Sequence, residues 1–169
     1  ENIDGTYTVV EQTIFTQTTQ LNAGWNWFSA YVDIENNGLS MIQNELGTNG
    51  LEIKKQGDFS TYDKDLESWF GTFSISNKET ILINVTKSQE LTIVGEIVNP
   101  EDHTITLNSN WNWIGYPLNK TSLMSEAFEQ AGLVPSDGDV VKYKDNFASY
   151  LYIDESIKGW IGDFDMNPG

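Results

Sequence analysis

The chain contains no cysteine and no arginine, and His103 is its only histidine. Without cysteine, disulfides and thiolate metal sites are excluded, and a single imidazole removes most metal and triad chemistry. No apolar run approaches the roughly 18 residues that a membrane-spanning helix needs, so no membrane insertion is expected. The net charge of −16 and the missing guanidinium groups argue against a nucleic-acid partner, because a phosphate backbone would be repelled.

What the chain does have is an acidic composition rich in aromatic side chains. Of its 169 residues, 25 are acidic and only nine, all lysines, are basic. Six tryptophans, seven tyrosines and eight phenylalanines can build an ordinary core without disulfides. The sequence begins at Glu1 without a signal-like segment, and it has few lysines and many Asn, Thr and Ser residues. These features favour a mature or excised piece of a secreted or cell-surface protein.

Three aromatic motifs occur twice in the same order. Residues 21–28, Leu-Asn-Ala-Gly-Trp-Asn-Trp-Phe, return 86 positions later as residues 107–114, Leu-Asn-Ser-Asn-Trp-Asn-Trp-Ile. A Phe-x-x-Tyr motif at 59–62 returns 88 positions later, and a Trp-x-Gly-x-Phe motif at 69–73 returns 91 positions later. Because tryptophan is rare and the spacing drifts by only a few residues, we predict a tandem duplication.

Each copy shows the same series of elements. The Trp-Asn-Trp segment alternates as a strand, and then Leu39, Ile42 and Leu46 share one helical face before Gly47. The second helix is indicated by Leu123, Ala127, Phe128 and Ala131, with a cap at Thr121 or Ser122 and an end at Gly132. Further strands are predicted over residues 51–55, 59–62, 140–144 and 147–152 and at each Trp-x-Gly-x-Phe motif. The predicted fold class is mostly β with minor α: two pseudo-repeats, each a small antiparallel sheet or partly open barrel with one short helix.

The boundary between the copies depends on the strands that separate them. Residues 79–86 and 91–98 alternate between apolar and polar, and residues 99–102 form a turn signal. The runs 6–10 and 13–18 are their counterparts ahead of the first copy. On that reasoning the repeats occupy residues 1–78 and 79–169, and the alternative boundary lies near 99–102.

The order Leu-Asn-x-x-Trp-Asn-Trp, helix, Phe-x-x-Tyr, Trp-x-Gly-x-Phe and Pro-Gly resembles a tandem module of large exported proteins of gut and other anaerobic bacteria, notably Bacteroidetes. The resemblance covers nearly the whole chain and implies a secreted or cell-surface module within a larger multidomain chain. It brings no established activity and no known functional residues. In those proteins a Gly-Tyr strand typically follows the Pro-Gly, so the resemblance implies that the second copy here, which stops at Gly169, lacks its closing strand.

Little in the sequence is typical of catalysis, and we do not expect an enzyme. His103 precedes a strand-like stretch at 104–107 with no serine elbow nearby, and it is interpreted as structural or solvated. The acidic residues differ between the copies. Glu67 lies two residues before Trp69, whereas Lys158 lies two residues before Trp160. No acid/base pair is therefore predicted.

No metal or other cofactor is expected, with calcium the one ion left open. Residues 33–37, 63–65 and 137–139 form oxygen-rich loops, but none has the spacing of an EF-hand. Asp, Asn and Gly are also the ordinary residues of turns, so solvated turns are the simpler interpretation.

Aromatic residues carry the remaining functional signal. Trp69 and Trp160 each follow a polar loop and lie two residues before a glycine. A glycine within a strand is typical of a bulge, and a bulge can change the direction of a neighbouring side chain. With Tyr62 and Tyr150, the two tryptophans are the predicted ligand-binding residues, weighed evenly against a structural role. In each Trp-Asn-Trp pair, at least one tryptophan is interpreted as core.

The functional hypothesis is a non-catalytic carbohydrate-binding module. Aromatic faces bind the C–H arrays of sugar rings, while Asp, Asn and Gln accept hydrogen bonds from hydroxyl groups. The negative charge disfavours anionic glycans, so the expected partner is a neutral polysaccharide. The alternatives are a structural or adhesive spacer whose tryptophans all lie in the core, and a protein-interaction module that uses an exposed strand edge.

Overall fold

A computed structural model describes residues 13–154 and 156–169 of the chain. Over these residues the fold is mostly β, with two short α-helices and several small antiparallel sheets, and the sheets do not close into a barrel. The predicted fold class is therefore confirmed in its β character and its minor helical content. The strand expected at residues 6–10 lies outside the described residues.

The elements of the N-terminal part are β1 Ile14–Leu21, β2 Gly24–Phe28, α1 Gly38–Leu46, β3 Gly50–Lys54, β4 Phe59–Asp63, β5 Ser68–Phe70, β6 Ile81–Val85 and β7 Gln89–Glu96. Those of the C-terminal part are β8 Ser122–Leu123, α2 Met124–Gln130, β9 Val140–Tyr143, β10 Asn146–Asp154, β11 Ile157–Ile161 and β12 Asp165–Met166. Short 3₁₀ turns lie at Gly47–Asn49 and Pro100–Asp102.

A five-stranded antiparallel sheet, in the order β2-β6-β3-β4-β5, forms the centre of the N-terminal part. Its inner face packs against α1, whose buried residues are Gly38, Leu39, Ile42 and Leu46, as the helical spacing predicts. A two-stranded sheet of β1 and β7 contributes Leu21, Leu91 and Ile93 to the same core. Gly47, at φ +51°, ends α1 at the predicted position.

Two strands that the sequence reasoning grouped with residues 79–169 pair with strands before residue 78. The strand β6 lies between β2 and β3 and is hydrogen-bonded to both, and β7 pairs with β1 along its whole length. The alternative boundary near 99–102 keeps these strands together. We therefore define the first repeat as residues 13–98 and the second repeat as residues 99–169.

The second repeat has a three-stranded sheet, in the order β11-β10-β9, and a two-stranded sheet of β8 and β12. Its pairing register reproduces that of the first repeat. Phe147 lies opposite Lys142, as Phe59 lies opposite Lys54. Tyr150 lies opposite Trp160, as Tyr62 lies opposite Trp69. The hairpin and the following strand thus pair in the same register in the two repeats, although β10 is nine residues long and β4 is five.

The loop before each Trp-Asn-Trp motif is also the same in both repeats. The side chain of Asn26 accepts a hydrogen bond from the Asn22 amide at 2.8 Å and donates to the carbonyls of Asn22 and Gly24 at 2.8 and 3.0 Å. Asn112 makes the equivalent bonds to Asn108 and Asn110, at 2.9, 2.8 and 3.0 Å. The central asparagine is repeated because it closes this loop.

Three local predictions for the second repeat are wrong. Residues 104–107 form no strand, and residues 111–113 are not part of a ladder; only Ile114 forms an isolated bridge, with Glu79. The helix α2 starts at Met124, which is fully buried, so Leu123 lies before it, in β8, and is 39% exposed. A strand needs a neighbour to pair with, and a local pattern does not reveal whether that neighbour is present.

The two repeats touch along the Trp-Asn-Trp segment of the second. The Gln56 side chain donates a hydrogen bond to the Trp111 carbonyl at 2.5 Å and accepts one from the Trp113 amide at 2.8 Å. Trp27 meets the ring of Tyr143 edge-on, with centroids 6.5 Å apart. The Gln56 hydrogen bonds place the segment 111–113 beside the first repeat, and the Trp27–Tyr143 contact joins β2 to β9.

Candidate functional site

The four predicted ligand-binding residues form one aromatic pair in each repeat. Tyr62 and Trp69 lie opposite each other on β4 and β5, with ring centroids 5.5 Å apart and planes at 62°. Tyr150 and Trp160 repeat this on β10 and β11, at 5.3 Å and 71°. The structure thus brings each predicted pair together, in the edge-to-face geometry that aromatic rings prefer.

Both pairs lie on the side of the sheet that faces the helix. A β-carbon on Gly50 would lie 2.5 Å from Cζ2 of Trp69, so the indole packs directly on this glycine backbone. In the second repeat, Trp160 contacts Phe128 of α2, with centroids 6.2 Å apart. All four rings are half-buried. Packing accounts for their repetition, and their role in ligand binding stays a prediction.

The opposite face of the five-stranded sheet is partly exposed to solvent, and Trp27 on this face contacts Tyr143 of the second repeat. Residues that lie directly opposite each other in neighbouring strands project from the same face. One row crosses all five strands through Trp25, Asn84, Glu52, Thr61 and Phe70, and a second row runs through Trp27, Leu82, Lys54 and Phe59. We call these nine side chains the aromatic face. The residues between the rows, such as Ile53, Ser60 and Ile83, are fully buried on the other side.

Three large aromatic side chains of this face are exposed to solvent. Trp25 is 46%, Phe59 62% and Phe70 51% exposed. Polar groups lie between them, since the row from Trp25 to Phe70 passes over Asn84, Glu52 and Thr61. The face therefore combines flat apolar rings with hydrogen-bonding groups between them.

A small charge cluster organises the centre of the aromatic face. The Lys54 ammonium lies 2.9 Å from the Glu52 carboxylate and 4.7 Å from the centroid of the Trp25 indole. The ammonium thus neutralises Glu52 locally and holds the indole by a cation–π contact. The remaining carboxylate oxygen of Glu52 can accept a hydrogen bond from a ligand hydroxyl.

The second repeat carries a related outward face. Phe147 and Ile161 stand where the first repeat has Phe59 and Phe70, and they are 65% and 60% exposed. Trp111, the counterpart of Trp25, is 61% exposed. The apolar character is kept, but one of the three rings is replaced by an aliphatic side chain.

Residues of both repeats line a cleft of about 820 Å³. Its lining includes residues 107–114 and 138–143 together with Phe128 and Trp160. Trp27 and Phe28 of the first repeat also reach it. Of the buried side-chain polar atoms described, the Tyr143 hydroxyl is the one without a hydrogen-bond partner, and Tyr143 lines the cleft.

One aspartate in each oxygen-rich loop accepts a hydrogen bond from a backbone amide of its own turn. Asp33 accepts a hydrogen bond from the Glu35 amide at 2.9 Å, Asp63 accepts from the Asp65 amide at 2.9 Å, and Asp139 accepts from its own turn. Within residues 13–154 and 156–169, no three His, Cys, Asp or Glu side chains gather to hold a metal ion. These geometries are those of turns closed by aspartate side chains.

Other titratable groups also have ordinary structural partners. His103 Nδ1 lies 3.0 Å from the Asn99 carbonyl, and Nε2 lies 3.8 Å from Glu35. Hydrogen bonds from the Ser156 hydroxyl and amide, with one from the Ile157 amide, lower the pKa of Asp154, which is fully exposed in the β10–β11 turn.

Sequence reasoning missed the exposed aromatic side chains, although the pattern contains the signal that identifies them. In a strand, neighbouring residues project from opposite faces. Phe70 follows Trp69 directly, and Phe59 lies three residues before Tyr62, so both phenylalanines must oppose the predicted pair. Once that pair is assigned to the core, the same alternation places Phe59 and Phe70 in solvent.

Neither the sequence nor the fold of this chain matches a family model, a curated protein or a solved structure. In the part of the chain that the structure describes, neither helix has the length and hydropathy to cross a bilayer. Any function must therefore be argued from the geometry of the chain itself.

Proposed function

We propose that this chain is a non-catalytic carbohydrate-binding module that holds a neutral polysaccharide against the aromatic face. The observation that supports this is the exposure of Trp25, Phe59 and Phe70 on a single sheet surface. Phe59 and Phe70 lie on the neighbouring strands β4 and β5, and Trp25 lies on the same face. Exposed apolar side chains that share one face are typical of an interaction surface.

The spacing of the face suits an extended polymer. Trp25 on β2 and Phe70 on β5 are separated by four strand intervals, which is about 19 Å at the usual strand spacing. A polysaccharide laid across the strands would contact both rings and pass over Asn84, Glu52 and Thr61 between them. The rings supply apolar contact, and the polar side chains supply hydrogen bonds to hydroxyl groups.

The charge of the protein restricts the class of glycan. The net charge of −16 repels anionic polymers. Lys54 is engaged by Glu52 and by the Trp25 ring, so it is not a ready partner for an acidic sugar. A neutral chain meets neither problem.

The wider context belongs to the same proposal. The repeated Trp-Asn-Trp and Trp-x-Gly-x-Phe motifs resemble a module of exported bacterial proteins, which supports a secreted or cell-surface location and a larger parent chain. Asp33, Asp63 and Asp139 accept hydrogen bonds from amides of their own turns, so a structural role accounts for these three carboxylates.

Affinity electrophoresis in gels that contain neutral polysaccharides, such as β-glucan, xylan, mannan and starch, tests the proposal. We expect one of these polymers to retard the protein, and the double variant F59A/F70A to weaken the retardation about tenfold or more. The matched control is Phe15→Ala, which removes an exposed ring from β1, outside the aromatic face. Equal retardation of all three proteins, or no retardation on any polymer, would favour a spacer or protein-interaction role.

A further inference from the structure

At the centre of the aromatic face, a hydrogen-bond donor and an acceptor lie side by side. The Lys54 ammonium is 2.9 Å from one carboxylate oxygen of Glu52, and the two side chains are 38% and 24% exposed. An ammonium has three N–H donors, and a carboxylate has two accepting oxygens. Because their mutual contact uses one N–H and one oxygen, each group keeps hydrogen-bonding capacity toward solvent.

The sheet and a neighbouring ring fix the positions of both groups. Glu52 and Lys54 are two residues apart on β3, the middle strand of five, so their side chains leave the same face. The ammonium also lies 4.7 Å from the centroid of the Trp25 indole, and this cation–π contact restricts its position. In the part of the chain that the structure describes, neither group has another polar side-chain partner. A few polar groups held in this way are what gives a binding surface its specificity.

The second repeat lacks this pair. The register places Lys142 at the position of Lys54, because each lies opposite the first phenylalanine of the following strand. The position of Glu52, two residues earlier, is occupied by Val140. The second outward face therefore keeps the lysine without the carboxylate, which provides a control within the same chain.

Two neighbouring hydroxyl groups of a sugar ring match the pair. A hydroxyl both donates and accepts, so one member of a vicinal diol donates to the free oxygen of Glu52 while the other accepts from Lys54. Vicinal hydroxyl oxygens in a gauche arrangement are separated by nearly the same distance as the ammonium and the carboxylate oxygen, which are 2.9 Å apart. Hydrogen bonds to charged groups are the stronger class, so this contact favours a diol over a single hydroxyl.

The same pair is a poor site for an ion. The carboxylate of Glu52 compensates the ammonium of Lys54, so neither an anionic nor a cationic ligand meets a net charge at this point. A neutral diol needs no net charge, and it uses the donor and the acceptor together.

We propose that Glu52 and Lys54 bind a vicinal diol of the polysaccharide and thereby determine which glycans the aromatic face accepts. This inference rests on the proposed function and names its substrate class, polymers whose internal sugars each keep two adjacent free hydroxyls. Linear xylan, mannan and starch have such a pair on their internal sugars. Laminarin is linked through the middle one of three consecutive ring hydroxyls, so its internal sugars keep no adjacent free pair.

Affinity electrophoresis with these four polymers tests the inference. We expect at least one of xylan, mannan and starch to bind the unaltered chain about tenfold more tightly than laminarin does. Lys54→Met and, separately, Glu52→Gln should each lower that affinity about tenfold, because each removes a hydrogen bond that involves a charged group. Both substitutions should therefore abolish the preference over laminarin.

Two further variants separate recognition of the diol from general effects. Lys142→Met is the matched control, because it removes the equivalent lysine from the repeat in which valine replaces the carboxylate, and it should leave affinity and preference unchanged. F59A/F70A should weaken binding to every polymer by the same factor and keep the preference, because the rings contact sugars of all four kinds. The Tm of each variant, followed by circular dichroism, shows whether the fold is kept, and the comparison of polymers on the unaltered chain needs no variant.

Either of two results would overturn this inference alone. They are laminarin binding as tightly as the other polymers, or Lys54→Met and Glu52→Gln binding as tightly and as selectively as the unaltered chain. In both cases, weaker retardation of F59A/F70A still supports the carbohydrate proposal. Absence of retardation by all four polymers would instead remove the proposed function and this inference with it.

Discussion

Replacing two equivalent leucines should have very different consequences. Leu21 and Leu107 occupy the same position in the two copies of the Leu-Asn-x-x-Trp-Asn-Trp motif. Leu21 is fully buried at the end of β1, and Leu107 is 46% exposed and lines the cleft. The substitutions Leu21→Ala and Leu107→Ala therefore remove the same atoms from a closed core and from an open one.

The expected free energies depend on burial. For Leu21→Ala, the loss of buried methyl and methylene groups and the cavity left behind destabilise the protein by about 3–5 kcal/mol. For Leu107→Ala, roughly half of the side chain is already in water and solvent fills the space, so the cost is about 1 kcal/mol or less. The difference between the two variants is thus about 2–4 kcal/mol.

Urea denaturation followed by tryptophan fluorescence measures both values, and hydrogen exchange at the amides of β6 and β10 reports each repeat separately. The reasoning is refuted if the two substitutions cost the same within about 0.5 kcal/mol. That result would mean that Leu107 is covered in solution, and the asymmetry between the repeats would have to be abandoned.

Two further pairs of substitutions test the packing of the first repeat by the same urea assay. Trp69→Ala should lower the free energy of unfolding by about 2–4 kcal/mol, because the indole packs on the core. Trp25→Ala should lower it by about 0.5–1 kcal/mol, because Trp25 is exposed. Similar losses would show that Trp69 is not part of the core. Gly71→Ala should cost about 2 kcal/mol or more, because φ is +98° and a β-carbon would lie 2.4 Å from the Phe59 carbonyl oxygen, whereas Gly57→Ala meets open space and should change stability by less than about 0.5 kcal/mol. A tolerated Gly71→Ala would show that the strand shifts to accept a side chain.

Local patterns predict the elements that depend on local forces. The helix α1 is predicted by the spacing of Leu39, Ile42 and Leu46 and by the glycine at its end. The hairpins are predicted by alternation and turn residues. The strand β6 lies within the predicted run 79–86, and β7 overlaps the predicted run 91–98 but begins two residues earlier, at Gln89. In each case the apolar residues of one short segment are enough to specify the element.

Pairing partners are harder to predict, because they are distant in sequence. Residues 107–114 keep five of the eight residues of 21–28, yet the earlier segment contains a ladder strand and the later one is held chiefly by Gln56 and residues 78–80. A strand's conformation is settled by its neighbours as much as by its own residues.

The exposed residues of the aromatic face were not predicted from the sequence, for a related reason. Trp69 and Tyr62 were predicted to bind ligand because rare aromatic residues recur at these positions. A residue also recurs when each copy of the fold needs it for packing, and the edge-to-face contact of these two rings and the packing of Trp69 on Gly50 are such packing roles. The exposed side chains could be found only after these were assigned to the inner face.

Repeated residues that lack a packing role are therefore the more informative ones. The exposed pair Trp25 and Phe59 in the first repeat returns as Trp111 and Phe147 in the second, at 61% and 65% exposure. Folding gives no reason to keep large rings in water twice, since such rings favour association. If each repeat contributes such a pair to one polysaccharide, the second contact is made at a high effective concentration, and the avidity exceeds that of either face. Removing Trp25 and Phe59 should then weaken binding to a long polymer far more than binding to a short oligosaccharide that reaches one repeat.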